Sequence, residues 1–264
     1  MYTNVNLAAP VGVLAFLGTG LLILVAALTL VGSLVARKFR FAKFVLIAML
    51  VIAGLYLGAM LAFSLAGREK VLARGEEKHF CEIDCHLAYS IANVRQTKTL
   101  GSAPNQSTAQ GVYTIVTIKT RFDETTIAPW RGNGLLYPNS RVLTLVDERG
   151  SKHAPSDVAQ HALDATQTSV TPLTAPLRPG ESSTREIVFD LPADVKSATL
   201  LIHEGDFVTH FIIGHENSFL HGKTRFQLDL SAAPIACSSP DTTLWEATLL
   251  PSAFDSTIVH AHQQ

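Results

Sequence analysis

No charged side chain occurs between Met1 and Ala36, and few occur elsewhere. Charged residues make up 16% of the chain, against roughly 25% in ordinary soluble domains. The net charge is −1, so the chain lacks the basic surplus that nucleic-acid binding needs. Three cysteines are too few for a disulfide-built scaffold. Also missing are Gly-x-Ser-x-Gly, a phosphate-binding loop and His-Glu-x-x-His. Nothing therefore announces an enzyme, and no small-molecule substrate is identified.

What is present begins with two apolar runs, Val11–Ala36 and Phe44–Ala66. Each is long enough to cross ~30 Å of hydrocarbon as a helix. Between them lies Arg37-Lys38-Phe39-Arg40-Phe41-Ala42-Lys43, a seven-residue connection expected to close an antiparallel hairpin. The first run exceeds the ~7–15 residues of a signal-peptide core and lacks a basic flank, so it is expected to remain as a helix. Four basic residues in the connection, set against an uncharged N-terminus, place that connection in the cytoplasm and both termini outside. Arg68, Lys70, Arg74 and Lys78 pull the other way, and the uncharged N-terminus decides. In the second run Gly54, Gly58, Ala62 and Ala66 recur every four residues. They form a small-residue face suited to the first helix or to a helix of another subunit.

The character of the chain changes across Lys78–Ser90. Residues 1–67 read as a transmembrane hairpin and 68–86 as a junction containing cysteine and histidine. Residues 87–230 read as an all-β sandwich and 231–264 as an extended tail. Val112, Thr114, Val116 and Ile118 alternate with Tyr113, Ile115, Thr117 and Lys119, as in a strand. Further strands are expected at Leu87–Thr97, Arg141–Glu148, Arg185–Leu191, Ala198–His203, Phe207–Ile213 and Lys223–Leu230, with a short helix within Ala154–Asp164. About seven short strands separated by turn signals point to an immunoglobulin-like sandwich.

Three segments carry a family resemblance. They are Gly111–Ile118, Leu145-Val146-Asp147-Glu148-Arg149-Gly150, and Leu177-Arg178-Pro179-Gly180-Glu181-Ser182 with Val188-Phe189-Asp190-Leu191-Pro192. Together they resemble the telokin-like, immunoglobulin-fold domains of bacterial exported and membrane-anchored proteins, over roughly residues 87–204. The resemblance implies a fold and a bacterial inner membrane with the domain on the periplasmic side. It is nearly silent on function.

The chemistry candidates cluster in the junction, at His79, Cys81, Cys85 and His86. One reading is a disulfide among Cys81, Cys85 and Cys237, which an oxidising compartment favours. Cysteines four apart meet only where the chain turns, since an extended strand would hold their Cα atoms ~13 Å apart. A second reading is a copper or zinc site, which His215 and His221 could join. Two helices followed by an external β domain is also the layout of cytochrome oxidase subunit II, whose copper centre uses a Cys-x3-Cys pair. That family's pair lies near the end of the domain, whereas this one precedes it. Covalent haem, through Cys-x3-Cys-His, and buried unpaired thiols complete the readings. Glu204, Asp206, His203 and His210 are candidates either for acid–base work or for a polar strand edge.

Two stretches look suited to contacts. Trp130, Arg131 and Tyr137 share one loop, and such residues are enriched at binding hot spots. Trp245 lies in a tail with more apolar residues than disordered segments usually carry. The expected function is therefore that of a membrane-anchored accessory subunit touching the bilayer and other membrane proteins, in a respiratory or photosynthetic assembly. The alternative is metal handling or electron transfer at the Cys81–His86 cluster.

Overall fold

A computed structural model describes residues 2–81, 86–231 and 235–236, with His86, Ile235 and Ala236 described by backbone alone. Two long helices come first, α1 (Ala9–Val35) and α2 (Phe39–Ala66). Pro10 sits in the first turn of α1, where its missing N–H costs no hydrogen bond. The connection is residues 36–38, shorter than the expected seven, because Arg37 takes a left-handed φ of 57° and turns the chain at once. Arg40 and Lys43 consequently lie in the first turns of α2. The helices pack against each other, and Ser33, Ala42, Met60 and Ser64 are buried, while leucines such as Leu14, Leu21, Leu28, Leu50 and Leu55 stay exposed. A helix that is apolar all round needs cover, which the described residues do not supply.

Among the described residues, eleven strands follow the chain order β1 (Tyr2–Thr3), β2 (Lys70–Leu72), β3 (Lys78–Cys81), β4 (His86–Leu100), β5 (Ser107–Asp123), β6 (Arg141–Asp147), β7 (Lys152–His153), β8 (Ser182–Leu191), β9 (Ser197–Glu204), β10 (Thr224–Asp229) and β11 (Ile235–Ala236). The first sheet runs β1-β3-β4-β5-β8, with β11 against β4. The second runs β2-β10-β9-β6-β7. One core joins the sheets, with Phe80, Leu87, Tyr89, Ile118 and Phe122 on one side and Leu145, Leu200, Ile202 and Phe226 on the other. Helix α3 (Asp157–Asp164), capped by Ser156, covers the outer face of the first sheet over Tyr113, Ile115 and Val188. That double cover explains why Tyr113 to Val116 are buried in succession, although the strand alternates.

The chain is thus two long apolar helices followed by a two-sheet β-sandwich. Its sheets reach beyond the expected boundary at Leu87, since the N-terminal Tyr2–Thr3 pairs with β3 and Lys70–Leu72 pairs with β10. These short edge strands leave almost no local signal. The strand expected at Phe207–Ile213 is instead a 3-10 turn, Phe207–Phe211. β9 already has β6 on one side and β10 on the other, so no sheet edge remains beside it for the apolar segment that follows.

Candidate functional site at the junction of helices and sandwich

A lysine enters the sandwich core here because of strand phase. Lys78 pairs with Tyr89 and Phe80 with Leu87, so Lys78 shares the inward face of β3 with Phe80. Its side chain is wholly buried. The Nζ donates to the carbonyls of Ile202 (2.7 Å) and Thr224 (3.2 Å), and lies 2.9 and 2.8 Å from the two carboxylate oxygens of Glu216. Glu216 is itself buried, and its Oε1 also accepts from the Thr224 amide at 3.0 Å. Burial pushes the Lys78 ammonium below its ordinary range, and the Glu216 carboxylate opposes that shift. Burial likewise pushes Lys223 down against the same carboxylate, and Lys223 donates to the Glu216 carbonyl.

A second branch adjoins the first. Arg141 faces Glu204 across β6 and β9, and its Nη1 lies 3.3 Å from Glu204 Oε1. The guanidinium sits 4.3 Å from the Phe80 ring centre and 5.6 Å from that of Tyr89, within cation–π range. Glu204 Oε2 is 2.8 Å from His215 Nε2. The Asn217 amide donates to His215 Nδ1 at 3.0 Å, so that nitrogen is an acceptor and Nε2 carries the proton donated to Glu204. Asn4 and Asn217 complete the group, bonding the Glu204 carboxylate (3.4 Å) and carbonyl (2.8 Å). Burial raises the Glu204 carboxyl, but the His215 hydrogen bond and the charges of Arg141 and Lys78 outweigh it and hold Glu204 below the usual range.

The chain segment carrying His215 and Glu216 is fixed to the helices as well. Val5 bridges to His215, the Asn6 amide donates to the Gly214 carbonyl, and the Asn6 side chain donates to the Phe63 carbonyl of α2. A Cβ on Gly12 would stand 2.7 Å from the Ile213 carbonyl oxygen, and one on Gly67 about as close to the His221 ring. Glycine at both helix ends is what allows this approach. A polar cleft of about 390 Å³ remains between Thr3, Asn6, Gly67, Glu216, His221 and Thr224.

Of the residues singled out in the sequence, Glu204 and His215 belong to this group and the others sit elsewhere. His79 faces outward on β3, 3.1 Å from Asp123 Oδ2, beside a two-point Arg121–Glu77 pair. That pair's hydrogen bond lowers Glu77. Cys81 donates its amide to Asn4 Oδ1 at 3.1 Å and is the Cα partner of His86 in the antiparallel pairing of β3 with β4. Cys85, Cys237 and Trp245 lie outside the described residues. His215 and His221 each have a partner of their own. His215 is held by Glu204, and His221 by the Gly222 carbonyl. Among the described residues, no group of three or more His, Cys, Asp or Glu side chains is placed to hold a metal ion. His203 and His210, the other histidines of the acid–base candidates, bond the carbonyls of Glu204 and Phe207 through Nδ1.

The contact candidates are on the surface. Trp130 is 86% and Tyr137 68% exposed, whereas Arg131 turns back over the Phe122 ring and bonds the Gly134 carbonyl. Gly54, Gly58, Ala62 and Ala66 are exposed, and a Cβ on either glycine would meet nothing within 4 Å. α1 therefore packs on a different face of α2. The buried ionic group went unread in the sequence, although its signal is there. Lys78 is in phase with Phe80, and Arg141 with Leu143 and Leu145.

No protein-family model matches the sequence, and no curated protein is significantly similar to it. Among solved structures, the chain resembles the secreted protein MPT63 of Mycobacterium tuberculosis at 11% identity and a TM-score of 0.38, covering 61% of this chain and 98% of that one. It resembles an uncharacterised β-sandwich protein from Clostridium difficile at 12% and 0.36, covering 62% and 96%. A conserved hypothetical protein from Bacillus anthracis gives 13% and 0.36, covering 49% and 89%. Likeness at this level carries no information about function.

Two outcomes follow for the buried group. Lys78→Ala leaves Glu216 buried without its partner and should cost about 3–5 kcal/mol, whereas the double change K78M/E216L should recover most of that. Thermal unfolding in detergent reads both, and an unchanged melting temperature for K78A would contradict the assignment. Glu204 is held below its unfolded value, so its contribution is complete above about pH 4.3 and is lost as pH falls through the lower folded value. Glu204→Gln should therefore flatten that part of the acid-unfolding curve followed by near-ultraviolet circular dichroism.

Proposed function

We propose that the protein is a two-pass membrane protein whose immunoglobulin-like, telokin-type sandwich stands outside the cytoplasm and serves as an accessory subunit of a larger membrane complex. The observation that carries this reading is the open face of Gly54, Gly58 and Ala62 on α2. The partner helix of the same hairpin leaves it uncovered, and small residues so spaced admit a close helix in a bilayer. The exposed Trp130 and Tyr137 offer aromatic anchors on the soluble side. The apolar circumference of both helices and the basic cluster at their connection support the membrane placement and its orientation.

The protein should co-migrate with a larger complex when native membranes are solubilised in mild detergent. Replacing Gly54 and Gly58 with leucine should release it, and W130A should weaken association by roughly 2 kcal/mol or more if the loop is an anchor. Leucine at Gly20, which also has open space around it, serves as the control. A wild-type protein that runs alone from native membranes removes the reading.

A disulfide through Cys81 is part of the same proposal, supported by the antiparallel pairing of Cys81 with His86, the neighbour of Cys85 in sequence. Peptide mapping without reduction should recover a cross-linked peptide containing residue 81. Free alkylation of all three cysteines together with stoichiometric copper or zinc would instead favour the metal alternative at His79, Cys81, Cys85 and His86.

A further inference from the structure

The 3-10 turn after β9, Phe207–Phe211, and the nearby Phe219 and Leu220 expose large apolar side chains. Phe207 is 71%, Val208 52%, Phe219 53% and Leu220 74% exposed. The aromatic rings form one cluster, with centroids 5.3 Å apart for Phe207–Phe211, 6.0 Å for Phe211–Phe219 and 5.8 Å for His210–Phe219. The turn does not point away from the helices. Tyr56 of α2 donates its hydroxyl to the Phe211 carbonyl, and Ile212 and Ile213 lie against Gly12 of α1.

We infer that this turn is a membrane wedge, in which Phe207, Val208, Phe219 and Leu220 insert into the headgroup–acyl boundary of the bilayer that the helices cross. The inference rests on the membrane-spanning reading above. Depth along α2 carries it. Hydrocarbon ~30 Å thick takes about 20 helical residues, so a span counted from Lys43 ends near Phe63. Tyr56 lies about 10 Å inside that limit at 1.5 Å per residue. The backbone it holds is therefore within the outer leaflet, at the ~5–10 Å depth typical of interfacial segments.

The hydrogen bonding fits a surface facing lipid, where backbone groups need internal partners. The Asp206 carbonyl accepts from Thr209, the Phe207 carbonyl from His210, the Thr209 carbonyl from Ile212, the Phe211 carbonyl from Tyr56 and the Ile212 carbonyl from Ser218. Asp206 is exposed at the start of the turn and limits insertion, since its carboxylate stays at headgroup level. Aromatic side chains favour that same level.

The test uses the full chain in phosphatidylcholine vesicles, with Trp130 and Trp245 replaced by phenylalanine and a single tryptophan at Phe207, Leu220 or Leu24. Lipids brominated at shallow or deep acyl positions quench by contact. F207W and L220W should lose emission more to shallow bromines, and L24W more to deep ones. If L24W is quenched while F207W and L220W are not, the wedge is wrong and the spanning helices stand. In that case blue-shifted emission would mean protein covers the turn, and red-shifted emission would mean water does. If L24W is not quenched either, the membrane-spanning reading itself fails.

Discussion

The buried pair of Lys78 and Glu216 is the constraint on which the junction depends. A lysine Nζ in the core must fill three donor positions, and here they are met by β9, β10 and the segment carrying Glu216. One side chain on the first sheet thereby fixes two strands of the second and the chain that passes beneath them. Such a pair adds little net stability over an apolar core, because both ions lose their water. Its physical consequence is specific placement. Any other position for Glu216 would leave Lys78 without its counter-ion in a dry site.

Placement of that segment in turn seats the sandwich on the helices. Val5, Asn6 and Gly12 meet residues 213–215 from the N-terminal side, and Gly67 meets His221 from the end of α2. Both helix ends are therefore engaged by one stretch between β9 and β10. The N-terminal residues contribute twice over, since Tyr2–Thr3 also adds a strand beside β3 and Asn4 reaches both Cys81 and Glu204. A sandwich held in this way is not free to swing on a linker. The fixed orientation keeps the open face of α2 and the Trp130 loop in a constant relation, as the proposed contact with one partner at two levels would require.

Much of the architecture was legible because it rests on local periodicity. The apolar runs, the long strand through Val116 and Ile118, and the short helix before Asp164 all announce themselves. The turns at Gly150 and Gly180, each with φ of 82°, occur where the family-like motifs place them. What the sequence concealed depends on tertiary context. Phe207–Ile213 has strand-forming composition but follows a strand, β9, whose two sides are already taken. Tyr2–Thr3 and Lys70–Leu72 are strands only because neighbours pair with them. His79, Cys81 and His86 stand out by residue type alone. Phase points instead to Lys78 and Arg141, two cations standing at inward positions of amphipathic strands.

The central claim is that residues 211–218 form part of the packed structure that joins the helices to the sandwich. Hydrogen exchange of the native protein, read by mass spectrometry on peptides spanning this stretch, tests it most directly. The amides of Ile212, His215, Glu216, Asn217 and Ser218 are all bonded within the protein. They should therefore exchange on the slow timescale of β9 and β10. Exchange as fast as that of an exposed loop, with β9 and β10 still protected, would contradict the account.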